Sequence, residues 1–170
     1  DHEKKLTLPQ AFLLTALSWL SIAIFGSLPF IFSNIELSIT DAFFESMSGI
    51  TTTGSTIITN LNETPKAILL WRAMLQWLGG IGIIVMAITL MPIMNIGGMQ
   101  LFVISTSNTP EKILPKSKEV SIRLILVYVT LTVFCAIFYK IFGMGFFDSI
   151  VHSMTTIATG GFSNYNESIG

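Results

Sequence analysis

Long runs without charge dominate the hydrophobic pattern of the chain. No charged residue occurs between Leu6 and Ile35, a second apolar run extends from about Lys66 through Met94, and a third lies between Arg123 and Lys140. A helix rises about 1.5 Å per residue, so roughly 20 apolar residues cross about 30 Å of hydrocarbon. The pattern therefore predicts three membrane-spanning helices, at about 9–32, 66–94 and 120–142.

Two further apolar segments are too short to span a membrane. They are "TDAFFESMSGI" (40–50) and "FDSIVHSMTTI" (147–157), each eleven residues long. At helical rise, such a segment reaches about 16 Å, which is half of the bilayer. We predict re-entrant half-helices, with Asp41 and Asp148 as N-caps that also complement the positive end of each helix dipole.

A run of small residues follows each half-helix: "TTTGST" and "ATGGFS". Such a run can be an ordinary external loop. However, non-helical backbone at membrane depth survives only where protein buries it or where it lines a watery cavity. We therefore expect both strands to line a pore in which carbonyl oxygens replace the water shell of a cation. Gly54 and Gly161 would supply backbone angles closed to residues with a Cβ.

The two half-helices and their strands form an internal repeat with an offset of 107 residues. In both copies a long helix precedes the half-helix. Repeated spanning and broken helices are frequent in transport proteins, which build their site where the repeats meet. Six residues coincide between 41–56 and 148–163, at positions 41/148, 46/153, 47/154, 50/157, 52/159 and 54/161.

The distribution of charge predicts the orientation. Six cations precede the first helix or lie between the second and third, against three elsewhere, and the cation-rich side is cytoplasmic. The half-helices then enter from outside, and Trp71 and Arg72 are expected at the headgroups. An acidic outer mouth would concentrate cations. Its carboxylates are Glu36, Asp41, Glu45, Glu63, Asp148 and Glu167.

Composition supports a membrane protein and excludes other classes. Hydrophobic residues make up 51% of the 170 residues, charged residues 11%, and the mean hydropathy is +0.71, outside the usual range for soluble domains. The net charge of −1 and the scattered cations make nucleic acid an unsuitable partner. The single Cys135 and the eight methionines have no metal-binding spacing, so we interpret them as packing residues.

The sequence closely resembles the Trk/Ktr/HKT superfamily of potassium transporters, and within it the bacterial TrkH branch. The resemblance covers nearly the whole chain. It depends on "DAFFESMSGITTTGSTI", "LLWRAMLQWLGGIGIIV", "IGGMQLF" and "GFFDSIVHSMTTIATGGFSNYNESIG". It implies an all-α integral membrane fold, with four fused helix–pore loop–helix repeats around one potassium-channel-like, pseudo-fourfold pore. About one and two-thirds repeats would be present: residues 1–106 hold the first with the start of a cytoplasmic linker, and 107–170 hold the linker and a truncated second.

The resemblance also implies the site. One selectivity-filter strand would be Thr51, Thr52, Thr53, Gly54 and Ser55, and the next Ala158, Thr159, Gly160, Gly161 and Phe162. Potassium, the substrate, would be held at Thr52, Thr53, Thr159 and Gly160, and no resident cofactor is implied. The second strand has fewer hydroxyls, so carbonyls are the expected ligands there. Gly54 favours potassium, because serine at this position goes with sodium preference in the superfamily. The alternative is a sodium-permeable or sodium/proton-coupled relative of the same superfamily.

The resemblance further implies the setting and partners of the protein. It places the chain in the bacterial inner membrane, in contact with lipid, as part of a longer subunit that forms a homodimer. A cytosolic ring of nucleotide-binding, TrkA-like regulatory subunits would contact the cytoplasmic segment 95–121. From the missing initial methionine and closing helix we expect a fragment of a longer protein.

Several polar residues admit two interpretations. His152 can couple protons to transport or, as we favour, sit neutral and hydrogen-bonded behind the filter. Glu45, at the equivalent position, can brace its half-helix or contribute charge to the mouth. The "GGIG" motif (79–82) can pack helices or allow flexing. An intramembrane hydrolase built on Ser48 or Ser153 with His152 is excluded in practice, because adjacent residues such as 152 and 153 do not face each other on a helix.

Overall fold

The computed structural model describes residues 8–94 and 113–168, with side chains described for 9–86 and 120–168. Every element in these ranges is helical. The elements are α1 (Leu8–Ile31), α2 (Ile39–Ile50), a 3₁₀ turn (Leu61–Glu63), α3 (Lys66–Met94), α4 (Ile113–Ile141) and α5 (Phe146–Ile157).

The three long helices match the predicted spans. The segments long and apolar enough to cross a membrane are Pro9–Ile31, Lys66–Met86 and Val120–Ile141. Helix α4 begins at Ile113. It therefore starts several residues before position 120, where the apolar run predicted its N-terminus. The half-helices α2 and α5 have 12 residues each, or about 18 Å at helical rise. Their predicted lengths are confirmed.

Helix α3 lies at the centre and packs against the other four helices, whereas α1 packs on α2 and α4 on α5. Gly79 and Gly80 make this packing possible. A Cβ at Gly79 would collide with the carbonyl group of Ile50, and one at Gly80 would lie 2.5 Å from the Tyr128 hydroxyl and 3.2 Å from Ala158 Cα. The packing interpretation of the "GGIG" motif is therefore confirmed.

The N-cap predictions are wrong by one turn. Ser38 caps α2, and its Oγ accepts from the backbone N–H of Asp41 at 3.1 Å. Gly145 occupies the cap position of α5. Asp41 and Asp148 lie in the first turn, three residues after the caps, where a carboxylate still complements the helix dipole. Helix formation starts earlier because Ser38 already satisfies a first-turn N–H group of α2.

The predicted regulatory segment falls largely outside the described residues. Of 95–121, residues 113–121 belong to α4, and 95–112 lie outside the described ranges.

Candidate functional site

The two half-helices end in the same hydrogen-bonded turn. After α2, the N–H of Thr52 donates to the Gly49 carbonyl at 2.9 Å and that of Thr53 to the Ser48 carbonyl at 3.0 Å. After α5, the N–H groups of Thr159 and Gly160 make the equivalent bonds at 2.9 and 3.0 Å, to the carbonyls of Thr156 and Thr155. This is the Schellman arrangement of a helix C-terminus. The repeat with an offset of 107 residues is thus confirmed at the level of individual hydrogen bonds.

A threonine occupies the left-handed position of each turn. Thr52 has φ 56° and Thr159 has φ 59°. Glycine is the usual residue at this position, and a β-branched residue with positive φ is an outlier that stores strain. Such strain persists only where the surroundings enforce it, and it clusters at functional sites. Two copies of the same outlier at equivalent positions indicate a shared role for the turns.

The glycine of each strand also has the predicted left-handed conformation, with φ 79° at Gly54 and 75° at Gly161. Their surroundings differ. A Cβ at Gly54 would collide with the Gly160 carbonyl oxygen, whereas nothing lies within 4 Å of a Cβ at Gly161. The first strand therefore contacts the second at Gly54, while Gly161 is constrained by its backbone angle alone.

Exposure alternates along the first strand. Thr51, Thr53 and Ser55 are exposed, and Thr52 and Gly54 are half-buried. One side of the strand therefore faces the protein and the other faces away from it.

The two end residues of the second strand are buried, unlike those of the first. Thr159 and Gly161 are exposed and Gly160 is half-buried, but Ala158 and Phe162 are buried. Ala158 is the C-cap of α5, and the Phe162 ring packs 4.1 Å from the Arg72 guanidinium. The side chains of these two residues face the protein interior, so only their backbone groups remain candidates for contact with an ion.

Hydroxyl groups hold the first strand to α2. Thr51 Oγ1 donates to the Met47 carbonyl at 2.7 Å and lies 2.9 Å from Thr53 Oγ1. Ser48 Oγ donates to the Ser55 carbonyl at 2.6 Å. Among the described residues, no group of three or more His, Cys, Asp or Glu side chains has the geometry to hold a metal ion. Any ion at the strands would therefore depend on neutral oxygens.

A buried ion pair lies behind the two strands. Arg72 of α3 and Glu45 of α2 are 1% and 0% exposed, and Arg72 Nε donates to Glu45 Oε1 at 2.6 Å. The same carboxylate accepts from Thr56 Oγ1 and from the backbone N–H of Ile57, both at 2.9 Å. Glu45 thus braces the first half-helix against the chain that follows its strand, and it is not a charge of the mouth.

Arg72 extends this brace to the second strand. One terminal nitrogen donates to the Ser163 carbonyl at 3.2 Å and the other to Thr56 Oγ1 at 3.0 Å. The expectation that Arg72 sits at the headgroups is wrong, because all three guanidinium nitrogens are bonded inside the protein. An ionisable residue within an apolar helix indicates an inward partner, and the carboxylate at position 45 was the available signal.

The second repeat uses different polar contacts. Asp148 accepts from Asn164 Nδ2 at 2.7 Å and from the Tyr165 hydroxyl at 3.0 Å, and the hydrogen bond to Asp148 raises the pKa of Tyr165. His152 is buried as expected, at 2% exposure. However, its imidazole makes no hydrogen bond to any residue that the structure describes, unlike the side chain of the equivalent Glu45; its backbone carbonyl accepts from Thr155 Oγ1 at 3.2 Å.

Three helices long and apolar enough to span a membrane, with two half-helices that end in matched turns, define an all-helical, multi-pass membrane protein. The chain belongs to the TrkH family of cation transport proteins, since the family profile, described as "Cation transport protein", matches residues 1–170. Membership of a transport family confirms the expectation that the chain is not an enzyme.

Named relatives agree with this assignment. The chain is 49% identical over 164 residues to the Trk system potassium uptake protein TrkH of Escherichia coli K12, and 44% identical over 161 residues to TrkI of Halomonas elongata. These alignments cover 95% of the chain but 34% and 33% of the two relatives. The crystal structure of the potassium transporter TrkH from Vibrio parahaemolyticus superimposes with a TM-score of 0.84 at 43% identity, over 99% of this chain and 33% of that one. The chain therefore spans about a third of the length of these relatives.

Proposed function

We propose that this chain forms part of a potassium-uptake path across the bacterial inner membrane, in the translocating subunit of a Trk-type system. Potassium passes the backbone carbonyls of the two strands, with Thr52, Thr53, Thr159 and Gly160 as its contacts. The observation that carries the proposal is the pair of matched Schellman turns. They place threonine at φ 56° and 59° and glycine at φ 79° and 75° at equivalent positions of two half-helices.

Chemistry favours a weakly hydrated monovalent cation at these strands. Exposed residues on one side of the first strand include two threonines and a serine but no charged side chain. Carbonyl and hydroxyl oxygens replace a hydration shell without binding so tightly that the ion cannot leave. The C-terminal ends of α2 and α5 add negative dipole ends at the turns. A sodium-permeable member of the same superfamily is the second candidate, and the glycine at position 54 favours potassium.

Uptake by the full-length protein tests the proposal. In cells that lack other potassium uptake systems, expression should restore growth at limiting potassium, and excess sodium should inhibit uptake only weakly. A matched culture with the empty vector gives the baseline. Growth no better than this baseline at normal membrane expression would contradict the proposed function, and equal transport of both ions would favour the sodium-permeable alternative.

The proposed path requires both half-helices to enter from the outer side. Both strands lie at the same end of the molecule, since the N–H of Leu61 donates to Asn166 Oδ1 at 2.9 Å. Single cysteines at exposed positions 59 and 62 of the full-length protein should react with an impermeant thiol reagent added outside intact cells. Cys135→Ser provides the background. Labelling of these positions only from the cytoplasmic side would reverse the orientation.

Assembly follows from the same proposal. The full-length subunit forms a homodimer, and a cytosolic nucleotide-binding ring contacts it at 95–121. Most of this segment lies outside the described residues, so the contact remains a prediction from the cationic character of the segment and from the family resemblance.

A further inference from the structure

A buried glutamine lies between the two strands. Gln76 is on α3, one turn beyond Arg72, and is 0% exposed. Its Oε1 accepts from the backbone N–H of Phe162 at 3.2 Å. Its Nε2 is buried and has no hydrogen-bond partner among the described residues. An unpartnered buried amide donor is costly, so packing alone would favour methionine or leucine at this position.

The amide of Gln76 explains the glycine at position 160. Gly160 is absent from the residues with positive φ, so its backbone would accept alanine. A Cβ there would nevertheless collide with Gln76 Cδ and lie 2.5 Å from Nε2 and 2.6 Å from Oε1. A Cβ at Gly54, on the other strand, would lie 3.6 Å from the same Nε2. The glutamine amide thus occupies the space where the two strands meet.

We propose that Gln76 is a positioning residue that sets ion discrimination, because its amide fixes the backbone at Gly160 relative to the strand at Gly54. The proposal rests on the proposed function of the strands. The hydrogen bond to Phe162 anchors the end of the second strand, and the side chain blocks movement of Gly160 toward α3. With both constraints removed, the carbonyls at this level can adapt to an ion of another size, and discrimination falls while passage continues.

Replacement of the amide tests the hydrogen bond. In the full-length protein, Gln76→Met preserves side-chain length and removes the acceptor. We expect a fall of up to about tenfold in the preference for potassium over sodium, the effect of one net hydrogen bond, with uptake retained. Thr132→Val is the matched control. It removes the acceptor of the Trp77 indole N–H, a 3.0 Å bond between α3 and α4 away from the strands, and should leave discrimination unchanged.

A second experiment adds a side chain at position 160 and shortens the one at position 76, and it does not depend on the folding of the Gln76→Met variant. Gly160→Ala alone should strongly reduce uptake, because the new Cβ and the fully buried glutamine amide cannot both keep their positions. Gly160→Ala with Gln76→Ala removes the collision and should restore uptake with lowered discrimination. Failure of the second change to restore any uptake would overturn the assignment of Gln76 as the residue that confines Gly160.

The outcomes separate this proposal from the proposed function. If the unaltered full-length protein discriminates between the ions, and Gln76→Met and the double variant do so equally well at equal expression, only the role of Gln76 is overturned. If the unaltered protein transports neither ion, the proposed function itself fails.

Discussion

Gly54→Ser in the full-length protein should lower the preference for potassium over sodium by about tenfold or more. At φ 79°, a Cβ costs on the order of 1–2 kcal/mol, and a difference of 1.4 kcal/mol between two ions is about tenfold in selectivity. The new side chain would also meet the Gly160 carbonyl oxygen, which forces one of the two strands to move.

Gly161→Ser should also lower the preference for potassium over sodium, but by a smaller factor. Its φ of 75° imposes a similar backbone penalty, yet no atom lies within 4 Å of the added Cβ. The repeat alone predicts equal roles for the two glycines, whereas the contacts rank Gly54 above Gly161. Competition of sodium with uptake at limiting potassium measures both variants.

Gly82→Ser is the control for these variants. Gly82 lies on α3, where an added Cβ would be 3.6 Å from the Trp19 ring, an ordinary van der Waals contact. Gly80 would be a poorer control, because an added Cβ there contacts Ala158 at the start of the second strand. Unchanged discrimination in both strand variants, at normal expression, would require the filter assignment to be abandoned.

Arg72→Met should destabilise the full-length protein by about 3–5 kcal/mol, the usual cost of leaving one member of a buried ion pair without its partner. The carboxylate of Glu45, fully buried, would keep only the Thr56 hydroxyl and the Ile57 N–H as donors. The second strand would also lose its contact at the Ser163 carbonyl. We expect a lower unfolding temperature in detergent and reduced membrane expression.

Glu45→Gln in the Arg72→Met background should recover much of this loss. A neutral amide oxygen still accepts from Ile57, and no uncompensated charge remains. The double-mutant cycle, with both single variants, measures the coupling between the two residues. Thr130→Val, which removes an exposed hydroxyl on α4 that bonds only within its own helix, should leave the unfolding temperature nearly unchanged. If the effects of Arg72→Met and Glu45→Gln on the free energy of unfolding were additive, the two residues would not be coupled and the proposed contact between them would be contradicted.

The sequence by itself determined the elements of the fold. Run length separates the spanning helices from α2 and α5, because the helical rise and the bilayer thickness are fixed quantities. The 107-residue repeat predicted that the two half-helices would end alike, and their turns are equivalent bond for bond. The positions of Gly54 and Gly161 were also predictable, since a left-handed backbone angle is a local property of the chain.

Only the tertiary structure decided which polar groups meet. Helix α3 is apolar on nearly every side, so its sequence does not show which face points into the protein. For this reason the sequence favours a headgroup position for Arg72 and does not single out Gln76, although both residues lie against the strands. Their partners are separated from them by 16 to 91 residues along the chain, and hydrogen bonds across such separations depend on how the helices pack. Because of this packing, glycine is needed at position 160 to leave space for the Gln76 side chain. The backbone angle of Gly160 does not itself require glycine.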